Sequence, residues 1–283
     1  MTPGQLWQTW SLQPAVLLAL AATALFYGWG LRRLWIPGHR GRGIRWPQAL
    51  AFYGGLLALF VALVSPLHPL SQQLLSAHMA QHFLILMVAA PLLILGAPPL
   101  ALSAAVSGRW RRQLHRLGER KWLHEAGRAL THPVITWLLA AAMLWAWHIP
   151  SLYQAALRGA SVHALEHASF LVTALLFWWT AIHPSGRRRL PRGGDVLYVF
   201  TGAFQGAALG ALFTFAASPV YPFYAARVAA WGLTPLQDQQ LAGVIMWIPS
   251  GVIYLAVACV MFVKWLRAVE RDTRRAEART APA

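Results

Sequence analysis

Cysteine is almost absent: the 283 residues contain one, Cys259. That excludes a disulfide framework and any thiol metal carrier built on a CxxC pair. Acidic residues are scarce as well, 8 against 24 Lys and Arg, and all charged residues together make up 11% of the chain. Ordinary soluble domains carry roughly 25%, so a soluble fold is excluded. A formal charge of +16 would suit a nucleic-acid surface, but the distribution of the cations removes that partner. They are nearly missing from several apolar stretches of about 20 residues, the length at which an α-helix crosses the hydrocarbon core, and they crowd into the connections between them. The chain reads as an all-α polytopic membrane protein.

Apolar spans lie at about 12–35, 47–65, 74–97, 133–149, 162–182, 195–216 and 236–264, which predicts one integral membrane domain over residues 1–283 built as a bundle of seven transmembrane helices. The first follows a start without charge, Met1 to Ser11, which lacks the cationic region of a secretory signal and has no cleavage site after it, so it is expected to be retained. Trp35-Ile36-Pro37-Gly38 stops the first helix and Gly96-Ala97-Pro98-Pro99 the third, while Pro133 sits where a first-turn proline belongs. The seventh helix has a complete start signal, with Thr234 as N-cap, Pro235 at the first helical position and Gln237 closing a capping box. Pro91 and Pro249 fall inside spans and are expected to kink helices three and seven and to free carbonyls. No internal repeat is visible.

Orientation follows from the retention of cations in cytoplasmic connections. Of the 24 Lys and Arg, 22 fall in alternate loops and the C-terminal tail, leaving only Arg158 and Arg227 for the opposite side. The N-terminus is therefore expected outside and the C-terminus in the cytoplasm, with the net charge explained by attraction to anionic headgroups on the cytoplasmic face. Residues 109–130 place Trp110, Leu114, Leu117, Trp122, Leu123, Ala126 and Leu130 at helical spacing among cations, which predicts an amphipathic segment lying on the inner leaflet. Residues 267–283 form a basic cytoplasmic tail.

Ionisable groups at membrane depth are costly and mark sites. Of the eleven histidines, His39, His115, His124, His132 and His183 lie in or beside cytoplasmic loops and receive no role. The other six, His68, His78, His82, His148, His163 and His167, fall on outer halves of helices or in outer loops. Two pairs, His78 with His82 and His163 with His167, have the i, i+4 spacing that puts both imidazoles on one helical face, and His148 closes helix four at the same surface. A single HxxxH is a weak signal, since each histidine could simply satisfy hydrogen bonds at an interface. Five at one depth suit a transition metal, because neutral imidazole binds copper, zinc, iron and nickel. Glu166 shares the face of His163 and His167 and is open to three readings: a ligand, a group that orients an imidazole, or an anion favoured by the positive helix N-terminus. Asp238, in the first turn of helix seven, carries the same ambiguity. Met79 and Met246 are soft donors for cuprous copper or simple packing residues, and His68 is a possible accessory ligand. Cys259 lies near the cytoplasmic end of helix seven, on the wrong side of the bilayer for this cluster.

Ser76-Ala77-His78-Met79-Ala80-Gln81-His82 running on to Ala90-Pro91-Leu92 and Gly96-Ala97-Pro98, Trp147-His148-Ile149-Pro150-Ser151-Leu152-Tyr153, His163-Ala164-Leu165-Glu166-His167 leading to Phe177-Trp178-Trp179, and Asp238-Gln239-Gln240-Leu241-Ala242-Gly243 through Met246-Trp247-Ile248-Pro249 together resemble the polytopic CtaG family of cytochrome c oxidase assembly factors, over roughly residues 65–250. Outside that region helix one, the arginine loops and the tail match only in type. The resemblance implies a bacterial inner-membrane protein of seven helices that assists maturation of haem-copper oxidase, partners with its subunits, and supplies or holds copper on the outer, periplasmic side. It differs from the single-span, cysteine-bearing copper chaperone that shares the family's name, whose thiol chemistry one distant cysteine cannot reproduce.

Three function classes follow. A non-enzymatic metal-handling assembly factor fits a cluster with no evident nucleophile. An intramembrane zinc hydrolase would need three ligands, an open water position and a carboxylate base, for which Glu166 or Asp238 would serve. A b-type haem protein would use imidazoles from different helices as axial ligands.

Overall fold

The computed structural model describes residues 3–35, 43–183 and 193–280, and every regular element among them is helical. The Ile36-Pro37-Gly38 stop, the loop cations Arg40, Arg42, Arg187, Arg188, Arg189 and Arg192, and the last three residues of the tail lie outside the described residues. Among the described residues, six helical stretches are long and apolar enough to cross a membrane: Pro14–Leu34 (α1), Trp46–Leu63 (α2), Leu75–Leu95, Ala160–Ile182 (α11), Gly194–Thr214 (α12) and the helix that begins at Pro235 (α13). The short helix Leu67–Ser71 is α3, and the Leu75–Leu95 stretch is composite, with α4 (Leu75–Phe83), a π-helical turn at Leu84–Ala89 and α5 (Ala90–Leu95). Pro98–Ala105 forms α6, and the amphipathic segment folds as two helices, Gly108–Gly118 (α7) and Lys121–Leu130 (α8). They are followed by α9 (Pro133–Trp147) and α10 (Pro150–Arg158).

The fourth expected span is shorter than its apolar run. The 15 residues of α9 rise about 22 Å, less than the ~30 Å hydrocarbon core. The helix stops at Trp147 because Pro150 forces Ile149 out of the α region, to φ −63° and ψ 128°. Taken with α8, which meets it at a bend of 64°, α9 makes a seventh candidate span, so the bundle has six to seven. The two span prolines act differently. In the third span the π turn takes up the proline: Ala90 N–H bonds Ile85 O five residues back, and the carbonyl that Pro91 would have bonded in that register, Leu86 O, accepts instead from Trp178 Nε1 at 2.9 Å. Around Pro249 α13 continues without a break, running from Pro235 to Thr280 and carrying most of the basic tail as helix.

Packing brings the third span between α2 and α11. Tyr27 of α1 stacks on Phe52 of α2 at 3.7 Å and donates to Gly96 O at 2.7 Å. Small residues let backbones meet elsewhere: a Cβ on Gly243 would lie 2.5 Å from Gly210 O, so α12 and α13 cross in direct backbone contact. The chain alternates up and down, so the start of α4, the end of α9, the starts of α11 and α13 and the end of α12 gather at one end of the bundle. The predicted capping box at that end of α13 is present, with Gln237 N–H bonding Thr234 Oγ1 at 3.2 Å and Thr234 N–H bonding Gln237 Oε1 at 2.9 Å.

Candidate metal centre

Two helix starts supply the chemistry. On α4 the i, i+4 spacing sets the His78 and His82 rings edge to face, with their Nε2 atoms 2.9 Å apart. On α11 the first two turns carry His163, Glu166 and His167, with the His163 and His167 rings 4.3 Å apart. The helices face each other, so Glu166 enters among the imidazoles: its oxygens lie 3.7 Å from His78 Nε2, 3.6 Å from His82 Nε2 and 3.9 Å from His163 Nε2. Those separations are too long for hydrogen bonds. One donor atom each from His78, His163, Glu166 and His167 falls within 4.8 Å of every other.

The site is buried and short of partners. His78 and Glu166 are 0% exposed, His82 4%, His163 7% and His167 8%. Both Glu166 oxygens, His163 Nε2, His167 Nε2 and His82 Nδ1 are buried without a hydrogen-bond partner. Buried polar atoms are normally paired, and an unpaired buried carboxylate is among the costliest of groups. A cation at the centre would partner the Glu166 oxygens and the His163 and His167 nitrogens together, whereas His82 turns its Nε2 toward the group and its Nδ1 away. Tetrahedral ligands at a ~2.05 Å bond length stand about 3.3 Å apart, and the four donors, 3.7 and 3.9 Å apart at Glu166–His78 and Glu166–His163 and within 4.8 Å throughout, would draw inward to close on an ion. The donor set is nitrogen and oxygen, which suits zinc or copper and needs no sulfur.

The remaining expected residues take other places. His148 Nδ1 donates to Leu144 O at 2.7 Å and its buried Nε2 has no partner; its ring is 6.2 Å from that of His82, across a cavity of about 110 Å³. It borders the group without belonging to its four converging donors. Asp238 is not a ligand in this arrangement. Its Oδ2 accepts from Leu75 N–H at 2.6 Å and its Oδ1 from Ser76 N–H at 3.1 Å and Ser76 Oγ at 2.5 Å, so it caps α4 and fixes the helix that carries His78 and His82. Met79 is a core residue with Leu75, Tyr153 and Phe213, and Met246 packs against the same cluster. His68 stacks on His163 at 5.4 Å and takes a hydrogen bond from Gln81 Nε2 at 3.0 Å on its Nδ1. Burial first, and His78 next, push its pKa below the ordinary histidine value, so it stands as a neutral acceptor. Cys259 is exposed, 21 residues beyond Asp238 and about 31 Å along α13.

Several supporting residues were not singled out by spacing. Gln81, fully buried, ties α4 to α2 by donating to Ala62 O at 2.6 Å. Tyr224 donates to Ser71 O at 3.1 Å, lies 2.9 Å from the Tyr153 hydroxyl and 3.5 Å from His78 Nδ1, and Tyr221 donates to His148 O at 2.8 Å. The segment bearing these two tyrosines is pinned over the bundle end by Gln239, which accepts from Val220 N–H at 2.6 Å and donates to Ser218 O at 3.2 Å. Burial raises the pKa of both Tyr221 and Tyr224, keeping their hydroxyls as donors. Their signal in the sequence was weak: aromatics between prolines in a loop.

Curated relatives include uncharacterized proteins of Mycobacterium bovis and Mycobacterium tuberculosis, each 28% identical over 277 residues, covering 94% of this chain and 40% of the relative, and one of Mycobacterium leprae, 28% identical over 261 residues with 88% and 38% covered. The chain thus spans about two fifths of the length of these relatives. No solved structure matches. The family model for the cytochrome c oxidase caa3 assembly factor matches residues 25–268, from the middle of α1 to beyond the last apolar turn of α13 and so across every residue of the centre, and the chain belongs to that family.

Proposed function

We propose that the protein assists assembly of haem-copper cytochrome c oxidase by holding copper at the His78–His163–Glu166–His167 group, with His82 alongside, and passing it to an oxidase subunit. Copper here is cargo rather than a resident cofactor, and the role is not catalytic. The observation that carries the reading is the convergence of His78, His163, Glu166 and His167 between α4 and α11, where four buried donor atoms, both Glu166 oxygens and the Nε2 atoms of His163 and His167, have no hydrogen-bond partner. His82 borders both Glu166 and the cavity shared with His148, which gives a displaced ion a second imidazole to move toward. The cation asymmetry supports a bacterial inner-membrane location with the N-terminus and the centre facing the periplasm, the C-terminus in the cytoplasm, α9 as a short seventh span, and α7 with α8 against anionic inner-leaflet headgroups.

Glu166 also keeps a second reading open, a zinc hydrolase in which the carboxylate serves as base beside three imidazoles. The deciding experiment deletes the protein from cells and compares oxidase haem and copper. The expected result is haem-containing, copper-poor oxidase, relieved by raised external copper through mass action. A His82→Ala protein should accumulate normally and fail to restore activity at low copper. Full restoration by that variant, or an oxidase defect indifferent to copper, refutes delivery.

A further inference from the structure

A cleft of about 740 Å³ runs between α1, α2 and α11, beside the metal centre and separate from the small cavity near His148. Its walls are apolar, with Leu20, Leu56, Leu59, Ile85 and Leu171 among the residues that face it. On α11 the lining residues run from Ala160 to Leu175, which is about 22 Å of helix. That exceeds the ~15 Å hydrocarbon depth of one leaflet. Helix α1 presents Ala15, Ala19 and Thr23 and helix α11 presents Ala160, Ala164 and Ala168, small residues at i, i+4 spacing that ordinarily allow helices to touch. Here they stand apart and enclose space.

The lining favours a hydrocarbon chain: it is apolar along about 22 Å of α11, in a part of the protein whose surrounding solvent is lipid. Apart from Thr23, the polar lining lies toward one end of the cleft, where Gln13, His68, Gln72 and Arg158 stand beside His163 and His167 of the metal centre. Among the described residues, Arg158 and Arg227 are the Lys or Arg side chains outside the cation-rich loops and tail, and the two are placed differently. Arg227 lies over the Phe223 ring at 3.8 Å and donates to Phe223 O. Arg158 is exposed and reaches only Gln154 Oε1, at 3.5 Å, leaving most of its guanidinium donors for something else. We infer that the cleft binds an anionic phospholipid, with acyl chain between α1 and α11 and phosphate on the Arg158 guanidinium.

The test uses the full-length protein, stripped of lipid in mild detergent, then offered dioleoyl phosphatidylglycerol, dioleoyl phosphatidylcholine or oleate, with retention counted by native mass spectrometry. Wild type should retain one phosphatidylglycerol. Ala19→Trp and Ala164→Trp, both at exposed positions facing the cleft, should abolish retention, while Leu25→Trp on the outer face of α1 should not. Arg158→Gln should lower phosphatidylglycerol retention about fivefold, to the level of phosphatidylcholine. Unchanged melting temperatures across the tryptophan variants separate loss of lipid from loss of fold. If an Ala164→Trp variant melts lower, the Ala19→Trp variant decides. Equal retention in wild type and the cleft-filled variants overturns the site, equal retention of oleate overturns the phospholipid assignment, and a dimer in wild type that Ala164→Trp dissolves overturns both in favour of a second copy.

Discussion

Replacing Asp238 tests whether a carboxylate on α13 sets the position of the histidines on α4. In Asp238→Ala three donors lose their acceptor: Leu75 N–H at 2.6 Å, Ser76 N–H at 3.1 Å and Ser76 Oγ at 2.5 Å, in a site where the carboxylate is 1% exposed. A buried donor left unpaired costs about 1–3 kcal/mol and a lost N-cap about 0.5–2 kcal/mol. The three share one acceptor, so their costs do not simply add; an overall loss of about 3–5 kcal/mol is expected. Asp238→Asn keeps one acceptor oxygen and sets an amide N–H₂ against a donor, for a loss of about 1–2 kcal/mol. His78 lies within the first turn of α4, so fraying of that turn carries it away from Glu166. Reversible unfolding of purified protein in mild detergent, followed by metal titration of the folded fraction, reads both effects. The order wild type, Asn, Ala should appear in stability and in metal affinity. An Asp238→Ala protein within about 0.5 kcal/mol of wild type, with its metal affinity intact, would refute the claim that this cap positions the centre.

Other outcomes follow from particular contacts. Gly243→Ala would place a Cβ 2.5 Å from Gly210 O and 2.6 Å from Thr214 N, so it should cost about 1–3 kcal/mol as α12 and α13 are forced apart, whereas Gly251→Ala, with nothing within 4 Å, should gain about 0.5–1 kcal/mol; thermal unfolding in detergent compares the two. Trp178→Phe should cost about 1–3 kcal/mol by leaving Leu86 O without its donor at the π turn, a loss measurable by the same method. Reporter fusions after Ser71 and Gly159 should read outside and those after Gly118 and the C-terminus inside; an inside signal at Gly159 breaks the placement of the histidines on the periplasmic face.

The sequence carried local structure well because local structure is what periodicity encodes. The capping box at Thr234, the proline start of α9 and the paired faces His78/His82 and His163/His167 all depend on residues within one or two turns, and each has its counterpart in the fold. What spacing does not encode is which faces meet. Glu166 shares a face with His163 at i, i+3, yet only the apposition of α4 and α11 puts it between His78 and His82. Asp238 caps residues 162 and 163 positions away, a pairing with no local signature. The same holds for Tyr224, which reaches Ser71 across 153 positions. The expected fourth span, 133–149, already stops before Pro150, and α9 ends two residues earlier, at Trp147. The π turn was not readable: Pro91 announces a released carbonyl, and only the arrival of Trp178 shows where it is satisfied.

The central claim is that the buried imidazoles and Glu166 bind one transition-metal ion. Its most direct test is elemental analysis of the full-length protein purified in mild detergent after equilibration with copper, beside Glu166→Gln and the joint variant of His78, His163 and His167 to Ala. One copper per chain is expected in wild type, at least tenfold weaker binding in Glu166→Gln, and none in the joint variant, with all three equally folded. Copper content in the folded joint variant equal to that of wild type, or a wild-type protein that takes up no metal, would contradict it.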